Sequence, residues 1–208
     1  MEFNPNDVPS KTIYKVMTGS IVPRPIGWIS TVDAAGRPNL APFSYFNALG
    51  SNPPHLMFAP GTRSTDKNPK DTLKNVRATG EFVANIVTRQ LAEAMNITAT
   101  ELPPEVNEFE LAGLTASPSV TVQAPRVAES PIHFECKVTH IIDLGEVDRG
   151  SSVVIGEIVH FHVSDEVLFD GDKIDPVKLD PVGRLAGWMY CRTTDLFEMP
   201  RPRSQLKN

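Results

Sequence analysis

Residues 23–47, PRPIGWISTVDAAGRPNLAPFSYFN, constrain the fold more than any other stretch. Residues 26–32, IGWISTV, are β-branched and aromatic and read as a strand. Residues 33–38, DAAGRP, read as a turn in which Gly36 supplies a positive φ. Residues 40–49, LAPFSYFNAL, form a second extended run. Such a hairpin buries one face and leaves small polar groups at its ends. Here those groups are Ser30, Thr31, Ser44 and Asn47, which suit a planar ligand rich in acceptors better than they suit a core.

The remaining chain extends this pattern. At 208 residues the expectation is one domain spanning 1–208, large enough to bury a core without disulfide staples. Nineteen prolines favour short strands and loops over long helices. Residues 1–20 read as an irregular lead-in, with Tyr14 and Met17 tucked against the body. Residues 55–59 read as a short strand, and residues 60–69 as a polar loop. A helix is expected over 70–79, with Leu73 and Val76 inward and Gly80 ending it. Residues 81–87 alternate like a strand. A second helix is expected over 89–97, with Leu91, Ala94 and Met95 on one face. Residues 99–131 are loop-rich. Residues 132–144 and 152–163 read as a long antiparallel pair, with Gly156 marking a bulge or a close approach. The fold class is mainly β, a β-barrel with helical additions.

Several function classes are disfavoured. A net charge of −5 argues against nucleic-acid binding. No apolar run reaches membrane-spanning length, and the N-terminus has no apolar signal region, so neither a membrane partner nor secretion is expected. The two cysteines, Cys136 and Cys191, form no CxxC and read as free thiols of a cytoplasmic protein. His133, His140, His160 and His162 lie on the two long strands without a metal-ligand pattern around them, so no metal is expected. Dinucleotide, Walker and esterase-elbow motifs are absent. One stretch has anion-binding chemistry. Arg63, Ser64, Thr65, Lys67, Lys70 and Thr72 precede or open the helix at about Asp71. Free helix amides, hydroxyls and cations are what a phosphate monoester requires. These residues also read as a solvated loop with Asp71 as N-cap, and by themselves they leave both readings open.

Four segments in this order, the hairpin above, KDTLKNVRATGEFVANIV, PRVAESPIHFECKV and SSVVIGEIVHFHV, resemble the flavin reductase-like family. The resemblance runs over about 18–190. It implies an FMN-binding split β-barrel, a six-stranded antiparallel Greek key, and a homodimer with FMN near the subunit interface. By position, Trp28, Ile29, Ser30 and Thr31 would line one edge of the isoalloxazine, partly through main-chain groups. Ser44, Tyr45, Phe46 and Asn47 would meet the ring's polar edge and face. Lys70, Asp71 and Thr72 would hold the phosphate, helped by Arg63 and Ser64. Arg24 would add a second anionic contact, and Arg184 and Trp188 would close the pocket, from this chain or its partner.

The implied activity is that of an NAD(P)H-dependent flavin reductase. NADH or NADPH gives hydride to the flavin, which passes electrons to oxygen, a second flavin or a redox partner protein. The flavin carries the redox chemistry, so no side chain is assigned a catalytic role. One departure matters. Many reductases of the family carry Gly-Asp-His before the strand that reads VVIGEI here. This chain has GEVDRGS over 145–151, without the histidine, where Arg149 could take over an electrostatic role. The departure keeps two alternatives open: a flavoredoxin-like electron-transfer protein with tightly bound FMN, or a non-catalytic flavin-binding protein.

Overall fold

The computed structural model describes residues 1–145 and 150–206. Residues 146–149, with Arg149 and the site of the missing histidine, lie outside the described residues.

The strands are β1 Gly27–Val32, β2 Pro38–Phe43, β3 Phe46–Ser51, β4 Pro54–Phe58, β5 Glu81–Ile86, β6 Ile132–Leu144 and β7 Ser151–Val163. They form one antiparallel seven-stranded sheet in the order β2-β1-β5-β6-β7-β4-β3. Its two edges, β2 and β3, are consecutive in sequence and separated only by Ser44 and Tyr45. Three residue steps span at most about 11 Å, whereas seven strands laid flat would be roughly 29 Å across. The sheet therefore curls until its edges meet at that corner. The long second run of the hairpin is thus two strands broken at Ser44–Tyr45, and the sheet has seven strands rather than the expected six.

Local chemistry accounts for the elements. In the β1–β2 turn, Asp33 Oδ1 accepts the Ala35 and Arg37 amides at 2.8 and 2.9 Å, and Gly36 takes φ 80°. Helix α2, Asp71–Thr79, ends where Gly80 turns left-handed at φ 70° and returns its amide to the Val76 carbonyl. Strand β6 pairs with β7 along its length, with register shifts at Glu135/Cys136 and Val138/His140. Gly156 meets the close approach expected of it: a Cβ there would stand 2.6 Å from the Phe82 ring.

Residues 1–20 depart from the irregular lead-in expected. Ser10–Ser20 is a helix, α1, preceded by Pro9 with no capping side chain. Helix α3 covers Ala92–Ile97, and a short α4 covers Glu108–Leu111.

Two apolar clusters organise the molecule. Ile29, Phe43, Leu56, Phe58, Phe82 and Val154 fill the curled sheet, with Leu73 and Val76 of α2 packed into them. Trp28, Leu40, Val87, Met95, Phe109 and Val182 form the second cluster, beneath the helical additions. Strand β1 is consequently buried on both faces along its whole length.

Candidate functional site

A cleft of 410 Å³ opens where the sheet edges meet. Arg24, Phe43, Ser44, Tyr45 and Lys70 line it, with Tyr14 from α1, Met95 from α3, and Arg184 and Tyr190 from the C-terminal segment. A narrower pocket of 70 Å³ adjoins it, lined by Asn39, Arg63, Asp71, Thr72, Glu101 and Glu108. Pro42, Lys70 and Ala99 line both, so the two parts form one continuous groove.

Arg24 anchors the wide end. It is 5% exposed and bonds the Thr18 carbonyl at 2.6 Å, the Ile21 carbonyl at 3.0 Å, the Leu185 carbonyl at 3.1 Å and Ser44 Oγ at 3.3 Å. Its charge rests on carbonyls at the C-terminus of α1, the negative end of that helix. Four of the five guanidinium N–H groups are spent in this way, leaving one on Nη2. Arg184 stacks on Tyr190, 4.4 Å from the ring centroid, and also donates to the Gly187 carbonyl. Trp188, expected beside it as a pocket closer, is 96% exposed and lines neither part of the groove. Burial first, then the Tyr14 hydroxyl, raises the pKa of Tyr45, so its hydroxyl stays neutral.

The narrow end sits at the start of α2. Lys70 is the N-cap residue, and no side chain caps the helix. Among the described residues the Asp71 and Thr72 amides have no acceptor, as expected of a first helical turn. Lys70 Nζ has no hydrogen bond or ion pair among the described residues, and desolvation lowers its pKa. Thr72 Oγ1 accepts from Asn39 Nδ2 at 3.0 Å and keeps its own proton to donate. Arg63 is committed to Asp71, and lies 3.5 Å from Asp66. Asp71 also pairs with Lys74 at 3.1 Å. Glu108 accepts the Leu40 amide at 3.1 Å, and burial raises its pKa.

Other expected site residues lie elsewhere. Trp28, Ile29, Ser30 and Thr31 are each 0% exposed and form no part of the groove surface. The Trp28 indole donates to Thr98 Oγ1 at 2.8 Å, Ser30 Oγ to the Pro125 carbonyl at 2.5 Å, and Thr31 Oγ1 accepts from Asn75 Nδ2 at 3.0 Å. The β1 backbone over Gly27–Ser30 is paired on both edges. These groups are spent on holding the sheet to its helices. The Phe46 ring packs over Gly27, where a Cβ would overlap it. Asn47 is exposed on β3, with Oδ1 accepting the Ala48 amide at 2.9 Å. The structure therefore gathers Arg24, Ser44, Tyr45, Arg63, Lys70, Asp71 and Thr72 along one groove, with Ser64 bonded to Glu101 at its rim.

The sequence reading missed Tyr14, Glu101 and Glu108. Only Tyr14 had a usable signal, since SKTIYKVMTGS lacks proline and spaces its apolar residues at helical intervals. Away from the groove, it also missed Glu135. This buried carboxylate accepts the Val120 and Thr121 amides, Thr121 Oγ1 and His162 Nε2.

The groove fits a phosphorylated, ring-bearing ligand. It joins a wide chamber walled by aromatics to a narrow end lined by Lys70, Asp71 and Thr72, whose ammonium and amides have no partner among the described residues.

A family model described as flavin reductase like domain matches residues 18–178. The chain is 41% identical over 204 residues to an uncharacterised protein of Halalkalibacterium halodurans, covering 97% of each. With nitrilotriacetate monooxygenase component B from Bacillus cereus it shares 37% identity and a TM-score of 0.90, over 96% of this chain and 98% of that one. A flavin reductase with a split barrel domain from Shewanella frigidimarina gives a TM-score of 0.82 at 27% identity, over 97% and 100%. The curled sheet is accordingly a split barrel.

Proposed function

The chain belongs to the flavin reductase-like family, and on that premise we propose that it binds FMN in the groove and passes electrons through it as an NAD(P)H-dependent oxidoreductase. The observation that carries this reading is Lys70. Its ammonium, without an ion pair among the described residues, stands where the wide and narrow parts meet, beside two helix amides without acceptors. Holding a lysine there unpaired costs desolvation, which an anion of the ligand offsets. The Asp71 and Thr72 amides, the Thr72 hydroxyl and Lys70 would hold the phosphate. Ser44, Tyr45 and the remaining Arg24 N–H would face the ring system, with the Arg184–Tyr190 stack as the opposite wall.

When bound, FMN supplies reversible hydride and electron transfer. The chain's contribution is binding, orientation and charge. Arg24 is fixed by its four hydrogen bonds, and the Tyr45 hydroxyl stays protonated as a neutral donor. NADH or NADPH as donor is proposed from the family resemblance alone.

Assembly as a cytoplasmic homodimer belongs to the same proposal. Val159, Phe161 and Val163 form one row on a face of β7 and are 37%, 52% and 38% exposed, a surface suited to a second copy. The two cysteines form no disulfide, in keeping with a reducing compartment.

The test is anaerobic mixing of the protein with FMN and then NADH or NADPH. Flavin absorbance that bleaches faster with the protein than without it supports the reductase. A bound flavin band that persists until a chemical reductant is added removes the nicotinamide step and favours the electron-transfer alternative.

A further inference from the structure

Glu101 stands out among the groups lining the groove. Its Oε1 accepts the Ser64 amide at 2.6 Å and the Ser64 hydroxyl at 3.1 Å. Its Oε2 accepts the Thr65 amide at 3.3 Å and the Thr65 hydroxyl at 2.8 Å. Two successive amides and two hydroxyls converging on one pair of oxygens make an oxyanion cradle. The cradle belongs to the loop leading into α2, whereas the carboxylate arrives from the segment after α3. Glu101 lines the same narrow pocket as Lys70 and Thr72.

We propose that Glu101 is an internal competitor for the ligand's phosphate, occupying the Ser64 and Thr65 donors so that phosphorylated flavin binds by displacing this side chain. The proposal rests on reading the groove as the flavin site. Two features support displacement over a fixed structural clamp. Ser64 and Thr65 are exposed, so water satisfies their donors when the carboxylate leaves, and the contact is not required to keep buried groups paired. The carboxylate and a phosphate monoester are both anionic at neutral pH, so they repel one another across one small pocket. The Ser64 amide and the other three donors hold the Glu101 pKa down to about 2, so the carboxylate in the cradle is an anion throughout the neutral range. Displacement is then a contest between two anions, in which riboflavin takes no part. A resident competitor also makes FMN exchangeable, as a protein that hands reduced flavin onward requires.

The test is a fluorescence-quenching titration of wild type, Glu101→Gln and Glu101→Ala with FMN and with riboflavin, with a thermal melt confirming that each variant is folded. FMN affinity should rise about tenfold or more in both variants, roughly 1.4 kcal/mol per factor of ten, with riboflavin unchanged. Inorganic phosphate should compete with FMN more strongly in Glu101→Gln than in wild type. FMN affinity that is unchanged or weakened, or a gain shared equally by riboflavin, overturns the proposal. Failure of wild type and both variants to bind either flavin overturns the flavin reading itself, and the competitor with it.

Discussion

The ammonium of Lys70 lies 5.6 Å from the centroid of the Phe43 ring, a cation held over an aromatic face at the junction of the groove. This places the charge between the ring chamber and the first turn of α2. Lys70→Ala and Thr72→Ala should each weaken FMN binding by about 1–3 kcal/mol, the range for a charge-assisted contact. Riboflavin, lacking the phosphate, should be affected far less. Equal losses for the two flavins, measured by fluorescence titration, would remove the phosphate from this end of the groove.

Desolvation lowers the Lys70 pKa. The cation proposed to support FMN binding is therefore present at low and neutral pH and is lost on the alkaline side, earlier than a free lysine would lose it. FMN affinity measured against pH should fall on that limb in wild type. Lys70→Ala should flatten it, and an identical limb in the variant would contradict the assignment.

Arg24 ties three elements together, and its donors are arranged as a planar fork. Arg24→Lys keeps the charge but cannot reach the Thr18, Ile21 and Leu185 carbonyls and Ser44 at once. A loss of about 2 kcal/mol or more is expected, seen as a melting temperature lower by roughly 4–8 °C for a chain of this size. An unshifted melt would mean that the α1 contact is dispensable.

His133 is buried, with Nε2 bonded to the Val127 carbonyl at 2.8 Å and Nδ1 without a partner among the described residues. Burial lowers its pKa to about 4 from the ordinary 6.5. The folded state holds the neutral imidazole while the unfolded chain takes up a proton, so this contribution is complete above about pH 6.5 and drains away toward pH 4. Urea midpoints measured across that window should fall in wild type and stay flatter in His133→Gln. Parallel curves would contradict the assignment.

Glu135 acts lower on the scale. Burial alone would raise its pKa, but the Thr121 hydroxyl, the Val120 amide, His162 and the Thr121 amide together hold it at about 2. Its stabilising contribution is present above about pH 4.5 and is lost as pH falls toward 2. Glu135→Gln should lose that acid limb, read from the same urea midpoints, and should loosen residues 118–124, read by amide hydrogen exchange. Unchanged protection there would show that Glu135 does not pin that loop.

Local chemistry made much of the fold legible. Gly36 and Asp33 announce the β1–β2 turn, Gly80 announces the end of α2, and the long apolar alternation announces β6 and β7. The place of Lys70 and Thr72 at the start of α2 was readable for the same reason, because a helix N-terminus following a polar, cationic loop is visible in a linear string. What tertiary packing decides was not legible. Trp28, Ser30 and Thr31 look like hairpin-end groups in sequence, but β1 is covered on both faces and their polar atoms are consumed internally. Helix α1 is only half announced, since SKTIYKVMTGS has helical spacing but Pro9 gives no capping side chain to mark its start, and Tyr14 and Met17, expected against the body, are 61% and 44% exposed. Glu101 could not be paired with Ser64 from sequence, since 37 residues separate them and neither belongs to a periodic element.

The central claim is that one groove holds a phosphorylated flavin through the first turn of α2. Equilibrium dialysis of the wild-type protein against FMN and against riboflavin tests it most directly. The account predicts saturable binding of both, with FMN retained more tightly than riboflavin and the difference narrowed in Lys70→Ala. Equal retention of FMN and riboflavin by wild type, or no retention of either, would contradict it.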